Sequence, residues 1–143
     1  MIVRQQVDLP SAPCAVWLMD SITQVTPQDV GAIVVSGSHG GTSSAHYALV
    51  AELALAVFND AGVGKDKAGL AALDILQSQG RAALTVAHTS ARIGDAADAW
   101  MHGVVSHANA SAQHLGFTAG QGLRPAVQAC LVRMGIEPTA PTA

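Results

Sequence analysis

Two histidines follow short apolar runs, in contexts suited to proton transfer. His39 lies in VVSGSHGGTSS (34–44) and His88 in AALTVAHTSARIGD (82–95). A third run ends in Asn59-Asp60 and opens NDAGVGKDKAG (59–69), and a fourth ends in Asp20-Ser21. Imidazole titrates near neutrality and serves as a general acid or base once a second group orients it. His39, Asp60 and His88 are therefore the candidate catalytic groups. His39 is the leading acid or base, His88 its partner, and Asp60 either orients a histidine or acts as a base itself. His46, His102, His107 and His114 are read as helix-borne surface or packing residues.

The same loops carry candidate binding groups. Glycine at 40 and 41 allows a ligand to approach the backbone closely. A helix starting near residue 43 would aim free N–H groups at a developing negative charge. Ser36, Ser38, Asn59, Thr89 and Ser90 add hydrogen-bonding groups. Lys65, just ahead of a helix, and Arg92, with its bidentate guanidinium, would hold a small anion. The glycine turn is neither a Walker A loop nor a GxGxxG turn, and no GxSxG elbow is present. His39, Asp60, His88 and Asp95 would make a mixed N/O metal set, but no HxH or HExxH spacing supports one. Neither a metal nor a cofactor is assigned.

These groups need elements to position them. AVWLM (15–19), AIVVS (32–36), LALAVF (53–58) and AALTVA (82–87) are continuously apolar rather than alternating. That pattern suits strands buried on both faces of a parallel sheet. Between them, TSSAHYALVAE starts a helix with Thr42 or Ser43 as cap. DKAGLAALDILQSQG (66–80) gives a second, capped by Asp66, apolar at Ala68, Ala71, Ala72, Ile75 and Leu76, and ended by Gly80. TPQD (26–29) makes a single turn with proline at its first helical position. Met101, Val104, Val105, Ala108, Ala112 and Leu115 keep helical spacing, so one helix over about 96–115 is expected. The alternative is a fifth strand at GVVS (103–106). On the helical reading Asn109 faces the apolar side and needs partners. Leu123, Ala126, Val127, Cys130, Leu131 and Met134 form the core stripe of a final helix. The expected fold is three-layer α/β: a mainly parallel sheet of four or five strands flanked by helices, in a Rossmann-like or caspase-like layout. A single domain covers 1–136, followed by a loose tail at 137–143. In such sheets ligands bind outside the carboxyl ends of the strands. The four polar strand ends are thus expected to share one crevice.

Composition narrows the partners. Of 143 residues, 12% are charged and 50% hydrophobic, with a net charge of −3. A typical domain is about 25% charged, so part of the surface is expected to be buried in a homo-oligomer. The seven basic residues are scattered, which excludes a nucleic-acid stripe. No run reaches the roughly 18 apolar residues of a membrane helix, and the start has no apolar signal core. A cytoplasmic protein with no membrane partner is expected. Cys14 and Cys130 lack CxxC or zinc spacing and are read as buried packing residues.

The segment AIVVSGSHGG resembles the strand-then-SHG segment of caspase-like cysteine peptidases, in which a nucleophilic cysteine ends the next strand. Here that strand ends Phe58-Asn59-Asp60, and the QAC echo at Gln128-Ala129-Cys130 falls on a helix core. The resemblance implies a similar sheet layout, without thiol peptidase activity.

Two functions are compatible with these residues. The first is an enzyme acting on a small anionic, carboxylate-bearing molecule, either hydrolysing an amide or ring or moving a proton, with His39 as acid or base. The second is a non-catalytic metabolite-binding or regulatory subunit that uses the same loops.

Overall fold

The computed structural model describes residues 2–136; the expected loose tail at 137–143 lies outside them. Six strands form one sheet in sequential order: β1 (Arg4–Gln6), β2 (Val16–Met19), β3 (Ile33–His39), β4 (Leu55–Asn59), β5 (Ala83–Val86) and β6 (Val105–Ala108). β2 to β5 are parallel to one another. They are the four apolar runs, and the buried side chains of β3, β4 and β5 explain why those runs do not alternate. β1 and β6 pair antiparallel at the two edges, so the sheet is mixed, not purely parallel.

Helices cover both faces. On one face lie the 3-10 turns Ile22–Gln24 and Pro27–Asp29, then α1 (Thr42–Ala48) and α2 (Ala71–Ser78). Their Ile22, Ala45, Ala48, Ala72 and Leu76 pack on Met19, Val34 and Phe58. On the other face α3 (Ala96–His102) and α5 (Leu123–Ile136) bury Ala99, Trp100, Leu123, Val127 and Cys130 against Val35, Val57 and Val86. The core stripe expected on the last helix is present, with Met134 partly buried at its end. Cys130 is buried, whereas Cys14 is only partly so; both thiols are free. No described helix is long and apolar enough to cross a membrane.

Four local expectations change. The single helix over 96–115 is replaced by α3, β6 and a short α4 (Ala110–His114). Gly103 turns to extended geometry after α3, and Asn109 caps α4, so the helical spacing across this stretch was coincidental. The fifth-strand alternative holds, displaced to 105–108, and it places His107 on a strand. The second helix starts at Ala71, not at 66. Asp66 and Lys67 have φ of 55° and 59°, left-handed values that break a right-handed helix, so Asp66 is no cap. Finally, α1 begins at Thr42 with Gly41 as its cap.

β1 is all polar and exposed, and a buttress holds it. Arg4 donates to both Asp29 oxygens (2.8 and 3.2 Å) and to the Gln24 carbonyl, with its guanidinium 4.2 Å over the Trp17 ring. Burial alone would raise the Asp29 carboxyl, but the Arg4 guanidinium and the Thr26 N–H hold it below the usual carboxylate range. Its ionic stabilisation is therefore full above the unfolded pKa and lost as pH falls through the lower folded one. Arg4→Ala is expected to cost about 2 kcal/mol at neutral pH, less than a fully buried pair because Arg4 is part-exposed. Urea titrations should show that difference shrinking below about pH 4.

Candidate functional site at the carboxyl edge of the sheet

The parallel strands bring the four predicted polar ends to one edge. A segment then crosses that edge. After β5 the chain runs back over the ends of β4, β3 and β2 before entering α3. Asn59 Nδ2 donates to the Ala91 carbonyl (2.9 Å), the Gly94 N–H donates to the Gly37 carbonyl (2.7 Å), and the Ala96 N–H donates to Asp20 Oδ1 (3.0 Å). A Cβ at Gly37 would lie 2.6 Å from the Asp95 nitrogen, so only glycine lets the segment pass this close. Asp95 caps α3 by accepting the Asp98 N–H (2.9 Å).

Several predicted binding groups serve this scaffold. Ser36 is buried and donates to the Val57 carbonyl (2.7 Å), and Ser38 accepts the Ile22 N–H (2.9 Å). Asn59 is buried, and its Oδ1 accepts the Ala61 N–H (2.8 Å). The Gly40 N–H, one of two amides expected to cradle an oxyanion, donates to the Asn59 carbonyl (3.0 Å). Ser90 donates to the Ala87 carbonyl and accepts the Val104 N–H. These hydroxyls and amides are structural ties. Strand-end Ser, Asn and Gly here build the turns.

The groups left facing outward are His39, His88, Thr89, Lys65 and Arg92, all exposed. The His39 ring folds over Gly41, where an added Cβ would sit 2.7 Å from its Nε2. His39 pairs in register with Asn59 of β4. Arg92 Nη1 lies 3.6 Å from Asp95 Oδ2, at the surface.

Asp60 and His88 are brought together. Asp60 is 5% exposed, and its Oδ1 accepts the N–H groups of Gly62 (2.8 Å) and His88 (3.0 Å). The same oxygen lies 3.4 Å from His88 Nδ1, and the His88 side chain remains 51% exposed. Burial would raise the Asp60 carboxyl. The Gly62 N–H, the Ser106 hydroxyl, the His88 N–H and the His88 ring together hold it below the usual carboxylate range. At 3.4 Å the His88–Asp60 contact is an ion-pair approach rather than a hydrogen bond. A carboxylate that only accepts favours the neutral tautomer with the proton on Nδ1, which leaves Nε2 with a lone pair. The ring rests on Gly62, in a loop where Ala61, Val63, Asp66 and Lys67 all have positive φ. For a β-branched residue such as Val63 this is strained backbone, which persists only where surrounding structure imposes it.

The mixed N/O metal set does not assemble: among the described residues no three His, Cys, Asp or Glu side chains converge. Concavities of about 480, 380 and 440 Å³ lie along the β1–β2 connection, between that connection and α5, and between α2 and β6; His39 and His88 line none of these three. Ser106, beside Asp60, escaped the sequence reading because nothing in GVVSHAN reveals which residues of an irregular edge strand face β5. Asn109 is buried as expected, but as a brace. Its Nδ2 donates to the Leu73 and Arg81 carbonyls, and its Oδ1 accepts the Ala83 and Ala112 N–H groups.

Comparisons with protein-family models, with curated proteins and with solved structures returned no match.

Proposed function

We propose that the carboxyl edge is a general acid–base site for a small carboxylate-bearing molecule, with His88 as the base and Asp60 as the group that orients it. The observation that carries this is the 3.4 Å approach of His88 Nδ1 to a buried, ionised Asp60. An exposed imidazole backed by a buried carboxylate is suited to taking a proton at Nε2 and returning it. The chemistry that fits is proton abstraction next to a carboxylate, or activation of water against an amide or ring. His39, at the end of β3, is the candidate second acid or base, and Lys65 and Arg92 are the cations for the substrate carboxylate.

Calorimetric titration with a panel of small carboxylates and their neutral amide analogues tests the charge preference. Carboxylates are expected to bind more tightly, with affinity falling about tenfold in Lys65→Ala or Arg92→Ala and falling again as salt is raised. Equal affinity for the neutral analogues would remove the anion from the proposal.

A further inference from the structure

We infer that the exposed apolar surface beside the His88 loop, centred on Met101 of α3, docks a second copy of this chain, and that this copy supplies a wall for the carboxyl edge. The second half rests on that edge being the functional site. A small ligand is held where a concavity covers most of its surface. The concavities at the β1–β2 connection, along α5, between α2 and β6, beside Trp17 and Val30, and at the end of β6 contain neither His39 nor His88. Both histidines stand exposed at an open edge.

Beside that edge Ile93 is 53% exposed, Met101 54% and Val104 37%. Short ties place them next to the site. The Arg92 N–H donates to Asp98 Oδ2 (2.8 Å), which fixes the Arg92–Ile93 turn against α3, and Met101 follows one turn along that helix. The Val104 N–H donates to Ser90 Oγ (2.9 Å), in the loop that carries His88. Leaving such side chains in water is unfavourable, and burial against another apolar surface removes that cost. The charges around the patch are balanced, Arg92 and Arg124 against Asp95 and Asp98. Arg92 Nη1 reaches Asp95 only at 3.6 Å. Arg124 Nη1 leans on Met101 Sδ (3.5 Å) and forms no ion pair among the described residues. A partner charged with one sign would leave half of these groups unmatched. A copy of the same face, turned about a twofold axis, brings arginine toward aspartate on both sides of the axis. The occupant that fits is therefore this chain itself. The facing copy covers the Arg92 turn and shields a bound carboxylate from water, which strengthens its attraction to the guanidinium.

The test pairs analytical ultracentrifugation with calorimetric titration of the small-carboxylate panel. The wild-type protein is expected to sediment as a dimer at micromolar concentration. Met101→Asp sets two like charges against each other across the axis and should raise the dimer Kd at least about 100-fold. Met101→Leu keeps the apolar area and should dimerise as the wild type does. Circular dichroism checks that each variant keeps its fold, as expected for a side chain already exposed in the single chain. The Met101→Asp monomer should bind the preferred carboxylate about tenfold more weakly than the dimer. A monomeric wild type would overturn the second copy as occupant. A dimer that survives Met101→Asp but dissociates in Val132→Asp would move the contact to α5 and overturn this face. A folded Met101→Asp monomer with wild-type carboxylate affinity would overturn the completion of the site. A wild-type dimer that Met101→Asp dissociates, with no carboxylate bound by either form, would overturn the edge as a carboxylate site while upholding the pairing of the two copies.

Discussion

His88→Ala is expected to lower turnover of the preferred carboxylate by about 10²–10⁴-fold, the usual contribution of a positioned general base. Stability should hardly change, because the ring is half exposed and its main-chain N–H to Asp60 survives the substitution. The same assay on His39→Ala separates the two histidines. As a second acid or base, His39 should cost less than His88, because among the described residues no carboxylate orients its ring against Gly41 as Asp60 orients His88. A drop in turnover without a matching loss of affinity would mark His88 as acting in the transition state rather than in binding. A wild-type protein that binds the carboxylate and turns over nothing in the panel would favour the regulatory-subunit alternative.

Asp60→Ala is expected to be the most destabilising change at this edge, at about 2 kcal/mol. It removes a nearly buried carboxylate and leaves the N–H groups of Gly62 and His88, both exposed residues, without their protein acceptor, at about 1 kcal/mol for each bond lost where water can reach the donor. Asp60→Asn keeps an acceptor oxygen and should cost about half as much. The pH dependence has a definite sign. The folded pKa of Asp60 lies below the unfolded one, so its contribution is fully present above the unfolded value and disappears as pH falls through the folded one. Denaturation midpoints of wild type and Asp60→Asn should therefore converge as the solution is acidified below about pH 4. A gap that stayed constant into strong acid would mean that the carboxylate is not ionised at neutral pH.

The central sheet was legible because β3, β4 and β5 are buried on both faces, and continuous apolar runs have few other uses in a chain with this many turns. The edges were not. β1 is Arg-Gln-Gln, held by one arginine rather than by an apolar face. β6 lies inside a stretch whose apolar spacing happens to match a helix. The start of α2 was misplaced because left-handed backbone at Asp66 and Lys67 leaves no mark in composition. At the site, Asp60 and His88 could be grouped only as equivalent strand ends. Their contact depends on how the loop from β4 curls back under the one from β5. The crossing segment was also hidden, since two of its three tethers end on the main-chain carbonyls of Ala91 and Gly37. Those tethers explain why half of the polar strand-end groups serve the scaffold, leaving the histidines and the two cations toward solvent.

The most direct test is a crystal structure with the carboxylate that binds most tightly. The ligand is predicted to lie at the carboxyl edge, with its reacting atom or a bridging water about 3 Å from His88 Nε2 and its carboxylate toward Lys65 or Arg92. A ligand seated instead in the concavity along the β1–β2 connection, with the edge empty and His88 Nε2 donating to another protein group, would contradict the assignment of this edge as the functional site.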